Sequence, residues 1–145
     1  LSFGGTKNGC LGVEAVVVFD PAKAWEFELR RKRGGHLFSK HRYHSAQMEA
    51  YLADDLWLRL AAQANAMGQR LAAGVAAIPG LGLRDDVAAN MMFPTFPRGT
   101  HDRLEAQGLK YNRYPDTDSR ETARFVTSWS TTVDDVDTAL AVLRS

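Results

Sequence analysis

Ser2-Phe3-Gly4-Gly5-Thr6-Lys7-Asn8-Gly9-Cys10 reads as a short apolar strand running into a glycine-rich turn with one lysine at its apex. A second strand, Ala15-Val16-Val17-Val18-Phe19-Asp20, follows at once, and its run of β-branched residues predicts burial. Lys7 therefore stands at the end of a strand, on a turn flanked by apolar chain. An ammonium group is costly to bury, so a lysine in such a place calls for a reason. One reading is Schiff-base chemistry, in which the neutral amine attacks a carbonyl. The other is an ordinary hairpin tip, with Gly-Asn turn chemistry and the lysine in water. Local sequence leaves both open.

The chain has 145 residues, 45% hydrophobic and 24% charged, enough to bury a core as a folded domain. A formal net charge of +1 gives no global attraction to nucleic acid or to an acidic membrane. The longest apolar runs are far shorter than a membrane span. Cys10 is the single cysteine and cannot form an internal disulfide, which makes a reducing, cytoplasmic location the expectation. The chain opens at Leu1, in mid-strand and without a cap, as the interior of a longer protein is expected to do.

Beyond the two strands, Asp20 suits an N-cap and Pro21 the first turn of a helix that carries Trp25, Phe27 and Leu29. That helix turns basic at Arg30-Arg31-Lys32-Arg33 and stops at Gly34-Gly35, with cations where the helix dipole favours them. A second helix is expected from about Ser39 to Ala53, with Tyr43, Gln47, Ala50 and Tyr51 at helical spacing. A long third helix runs from Leu56 to about Ala77 and places Leu56, Leu60, Ala64, Met67, Leu71 and Val75 on one face. Its many alanines and glycines permit close approach to another backbone. Ile78-Pro79-Gly80-Leu81-Gly82 breaks that helix and marks a subdomain boundary, with a second boundary near Ala53 also open.

The remainder reads as a small antiparallel or mixed sheet with a helix on one face. Asn90 to Phe96 is expected as a strand whose far end Pro94 and Pro97 place at an edge or exit. A helix from Thr100 to about Gln107 closes at Gly108, and a strand follows from Leu109 to Tyr114. Asp116 to Arg120 reads as a polar loop and Thr122 to Trp129 as a third strand. A final helix starts at Thr131 or Thr132 and turns Val136, Leu140 and Leu143 inward.

Several clusters invite a chemical reading. His36, His41 and His44 are close in sequence, but no nearby carboxylate or cysteine completes a zinc site, and no metal is expected. Cys10 has no obvious base beside it and reads as a small buried thiol. Gly4-Gly5-Thr6-Lys7-Asn8-Gly9 lacks the loop length and the Ser or Thr of a P-loop. The basic stretch Arg30, Arg31, Lys32, Arg33, Lys40 and Arg42 is either a solvated helix end or a compact phosphate site. In the second case Gly34 and Gly35 would offer backbone N–H groups where guanidinium groups converge. Arg124, between Ala123 and Phe125 in a strand, either faces solvent or grips a carboxylate with its planar fork. A lysine for a carbonyl, cations for a phosphate and an arginine for a carboxylate together describe an amino-acid enzyme using pyridoxal 5'-phosphate.

Four stretches carry a resemblance: Ser2 to Gly9, Glu14 to Phe19, Arg30 to Lys40 and Arg124 to Trp129. Together they resemble low-specificity L-threonine aldolase, of the β-eliminating lyase group in the aspartate aminotransferase fold (fold type I), over essentially the whole chain. The resemblance implies an α/β fold, the C-terminal part of such an enzyme: the end of the large-domain sheet, long helices and an α+β small domain. It divides the chain into 1–53, the end of the cofactor-binding domain with the Schiff-base lysine, 54–79, a connecting helix, and 80–145, the small domain.

Under this resemblance Lys7 is the Schiff-base lysine, Arg31 and Arg33 reach the cofactor phosphate, and Arg124 holds the substrate α-carboxylate. Some relatives carry Ser-Lys-Gly at the lysine where this chain has Thr-Lys-Asn. The implied reaction is retro-aldol cleavage of L-threonine and related β-hydroxy-α-amino acids to glycine and an aldehyde. The implied partners are a small amino-acid substrate and further copies of the chain, as a homodimer or homotetramer. The groups that stack on and pair with the cofactor ring precede the lysine in this family, so these 145 residues alone are expected to be inactive. Another fold type I enzyme, an aminotransferase or a different lyase, and a non-catalytic oligomerisation module are the alternatives.

Overall fold

The computed structural model describes residues 1–117 and 119–145. They divide into two compact units, 1–60 and 61–145. In the first unit, strand β1 (Ser2–Gly4) pairs antiparallel with β2 (Glu14–Val16), Phe3 facing Ala15. Helix α1 (Pro21–Arg33) begins as its sequence dictates: Pro21 occupies the first turn and the Asp20 side chain accepts from the Ala22 N–H. Helix α2 (His41–Leu52) ends in a short 3-10 turn (Ala53–Asp55), where Asp54 and Asp55 take positive φ before helix α3 (Leu56–Ala76) departs.

The expected buried second strand is corrected. β2 is three residues long, Val16 and Val17 are exposed, and Phe19 is 78% exposed. The physical reason is that among the described residues one side chain of the ribbon, Phe3, finds an aromatic seat, edge-on to Trp57 at 5.4 Å and against Tyr51 at 5.9 Å. Val16 and Val17 have no such seat among the described residues.

In the second unit α3 buries Ala64, Met67, Leu71 and Val75, the face its spacing predicted. Its small residues act as expected. A Cβ on Gly68 would stand 3.0 Å from the Ala89 carbonyl, and one on Gly74 would stand 2.4 Å from a Leu140 methyl. The antiparallel sheet contains β3 (Gly82–Leu83), β4 (Met91–Met92), β5 (Pro94–Pro97), β6 (Asn112–Tyr114) and β7 (Arg120–Val126). β4 and β5 share one register on β7, with Met92 facing Phe125, Thr95 facing Thr122 and Phe96 facing Glu121. They are one strand in sequence, interrupted where Pro94 has no N–H to give and the Phe93 carbonyl accepts from Arg84 instead.

Of the edge or exit expected from the prolines, the exit holds, since β5 ends at Pro97, and the edge is corrected. β5 lies between β3 and β7. The prolines are tolerated because Pro94 is in register with β3 alone and Pro97 with β7 alone. Helix α4 (Thr100–Ala106) closes with two bonds from beyond its end, Gly108 N–H to the Glu105 carbonyl and Leu109 N–H to the Leu104 carbonyl. That cap takes Leu109 out of the following strand, so β6 starts later than expected. Helix α5 (Val133–Arg144) is capped by Thr132 and Asp135 and buries Val136, Leu140 and Leu143. These join Val75, Met92, Phe96 and Leu104 in one core, each such side chain contributing about 1.5–3 kcal/mol. Asp118, in the expected polar loop Asp116 to Arg120, lies outside the described residues.

Candidate functional site

The connection carrying Lys7 is a pinned loop rather than a two-residue hairpin tip. The Gly5 N–H donates to the Val13 carbonyl at 2.9 Å, and the Asn8 and Cys10 N–H groups both donate to the Gly5 carbonyl at 3.0 Å. No larger residue fits at position 5, since a Cβ there would meet Cys10 Sγ at 2.7 Å. Thr6 Oγ1 donates to the Val13 carbonyl at 3.3 Å and accepts from its N–H at 3.1 Å. Asn8 Nδ2 donates to Tyr51 Oη at 2.5 Å and to the Trp57 carbonyl at 3.1 Å. The Gly12 N–H donates to Gln47 Oε1 on α2 at 3.1 Å. Between these anchors the Lys7 side chain is exposed and makes no hydrogen bond or ion pair with another described residue. Burial, and then the nearby Glu14, push the Cys10 thiol up, which leaves less of the nucleophilic thiolate.

The basic run lies in the same unit. Arg30 Nε pairs with Glu26 at 2.7 Å and Arg31 Nη2 with Glu28 at 2.9 Å. Arg33 is exposed and pairs with no described residue. Gly34 and Gly35 do not offer free amides, which corrects that part of the phosphate argument. Gly34 N–H donates to the Arg30 carbonyl, Gly35 N–H to Lys32 and His36 N–H to Arg31, closing the helix in the same way as α4. A phosphate site here rests on side chains. Arg31 Nε is buried and has no hydrogen-bond partner among the described residues, while Nη2 of the same side chain is held by Glu28. His41 Nε2 lies 2.7 Å from the His36 carbonyl, and the Phe38 ring packs against both His41 and His44.

Arg124 belongs to the second unit. It lies on the exposed side of β7 opposite Asn112, while Ala123 and Phe125 are buried. With Lys110, Asn112, Thr127, Thr131 and Asp135 it lines a cavity of about 360 Å³. Its guanidinium pairs with no described residue, so a carboxylate entering the cavity finds the fork uncommitted.

Two features escaped the sequence. One is the pair of anchors Asn8 and Tyr51, of which only Tyr51's helical spacing was visible. The other is a buried polar cluster in which Glu121 accepts from the Gly99 N–H at 2.8 Å and the His101 N–H at 2.6 Å, covering the start of α4. His101 Nδ1 meets Tyr111 Oη at 2.9 Å, and burial pushes the Tyr111 phenol up to about 12. This cluster satisfies backbone and packs against Phe96. Its signal was the carboxylate of Glu121 at the start of a strand.

The fold is the α/β one expected of the C-terminal part of a fold type I pyridoxal-phosphate enzyme. A solved structure of Leishmania major threonine aldolase matches it with a TM-score of 0.90 and 27% identity, over 99% of this chain and 42% of that one. More particularly, the chain is similar to low-specificity L-threonine aldolase. It is 38% identical to that of Pseudomonas aeruginosa over 136 residues, 94% of this chain and 38% of the relative. It is 39% identical to that of a Pseudomonas species over 131 residues, 90% of this chain and 37% of the relative. The chain thus spans less than two-fifths of the length of these curated relatives. No protein-family model matches it.

Proposed function

We propose that this chain is part of a pyridoxal-phosphate-dependent lyase that cleaves L-threonine and related β-hydroxy-α-amino acids to glycine and an aldehyde. The observation that carries the proposal is the Lys7 loop, where an unpaired amine projects between two anchored neighbours in a chain similar to threonine aldolases. Pyridoxal phosphate, when bound, supplies an electron sink for the carbanion left when the Cα–Cβ bond breaks. Lys7 Nζ, after giving up a proton, is the nucleophile toward a carbonyl. Arg31 and Arg33 bind the phosphate group through charge-assisted hydrogen bonds. Arg124 holds the substrate carboxylate in its fork and so fixes the torsion that selects which bond at Cα is cleaved.

In this reading residues 1–53 close the cofactor domain, 54–79 connect and 80–145 form the small domain. The working protein is a cytoplasmic homodimer or homotetramer. The test is a panel of L-threonine, L-allo-threonine and L-alanine, given to the full-length protein with the cofactor and a 2-oxo acid acceptor. Equimolar glycine and acetaldehyde from the first two supports the proposal. Transfer of the amino group to the acceptor without aldehyde release identifies an aminotransferase and overturns it.

A further inference from the structure

Phe3 and Asn8 bracket the lysine turn, and both are seated on the same two residues. Phe3 lies 5.9 Å from the Tyr51 ring and 5.4 Å from that of Trp57, while Asn8 Nδ2 donates to Tyr51 Oη and to the Trp57 carbonyl. The orientation of the Asn8 amide is fixed by chemistry, because a backbone carbonyl only accepts and the NH₂ end must face it. Both of its N–H bonds are thereby used. Tyr51 is a firm base for the contact, being 4% exposed. Thr6, on the other side of Lys7, is tied to both backbone groups of Val13. The lysine Cα is therefore held on both sides while its four-carbon stem stays free.

We infer that Asn8, acting through Tyr51 and the Trp57 carbonyl, is a positioning residue for Lys7, setting where the amine stands when it meets a carbonyl. This rests on the Schiff-base role proposed for Lys7. A lysine stem has many rotamers, so the reach of Nζ is set first by where its Cα is fixed. Displacing a reacting group by about 1 Å costs on the order of 100-fold in rate.

The test measures how fast Lys7 is trapped in the full-length protein. Pyridoxal phosphate is added to the cofactor-free protein, borohydride stops the reaction at intervals, and peptide mass mapping quantifies label at Lys7 and at exposed Lys23. Asn8→Ala and Asn8→Asp, which keeps the shape but loses the donors, are expected to slow Lys7 labelling by about 10–100-fold. Tyr51→Phe shifts the rate in the same direction by less, and Lys23 labelling and the melting temperature stay at the wild-type values. Wild-type labelling of Lys7 in both Asn8 variants overturns the inference. So does slow labelling that comes with a matching fall in melting temperature, since that is a structural role. If the Asn8 variants do not fold, Tyr51→Phe decides by the same two criteria. A wild-type protein labelled only at other lysines overturns the proposed role of Lys7 itself, a result distinct from either of these.

Discussion

Arg124 presents its guanidinium to a cavity from a strand whose adjacent residues are buried, and no described residue competes for it. Arg124→Lys keeps the charge but replaces a planar fork by a point donor. If Arg124 holds the substrate carboxylate as proposed, the loss of one charge-assisted bond predicts a fall of about 10–100-fold in kcat/KM for threonine in the full-length protein, with a melting temperature unchanged because the side chain is exposed. Steady-state kinetics beside a thermal melt check both halves. At this scale Lys7 and Arg124 stand out as candidates because each is a single charge in apolar or glycine-rich surroundings, and Arg31 because it belongs to a run of four cations. Asn8 and Glu121 do not. Asn8 finds its partners 43 and 49 residues away, and Glu121 bonds backbone 20 and 22 residues away. Such pairs exist only once tertiary structure has formed.

Helix ends were the most legible elements, since capping chemistry is local. Pro21 after Asp20, Gly34-Gly35 and Gly108 each stand where the chain turns in or out of a helix. The sheet was harder, because Pro94 and Pro97 announce a missing donor without saying which neighbour would have used it. Two predictions belong here. Gly74→Ala gains helix propensity of about 1 kcal/mol, but its Cβ would lie 2.4 Å from a Leu140 methyl in a packed core. Overpacking costs about 1–3 kcal/mol, so denaturant melts should show a net loss of about 1 kcal/mol. Thr132→Ala removes the cap of α5 and should cost about 1 kcal/mol near neutral pH. Bonds from the Thr132 backbone N–H and then its hydroxyl hold the Asp135 carboxyl below the usual carboxylate range. A lowered folded-state pKa gives stability that is present above the unfolded value and lost as pH falls through the folded one. The gap between wild type and Thr132→Ala should therefore narrow in urea melts below about pH 4.

The two units of the molecule differ in how much they bury. Met67, Leu71, Val75, Met92, Phe96, Leu104, Leu140 and Leu143 lie in the core of 61–145, whereas in 1–60 the buried apolar side chains are Val13 and Tyr51 and Trp25 is 71% exposed. Native-state hydrogen exchange of this chain should find its slowest amides in α3 and β7 and faster exchange throughout β1, β2 and α1. The division falls inside α3, where the helical spacing runs unbroken, so no residue announces it. Lys7, the proposed Schiff-base residue, belongs to the less buried unit. The most direct measurement of that role is borohydride reduction of the full-length protein with pyridoxal phosphate, followed by peptide mapping. The reduced cofactor is expected on Lys7. Stoichiometric label on any other lysine, with Lys7 unmodified, would contradict that role.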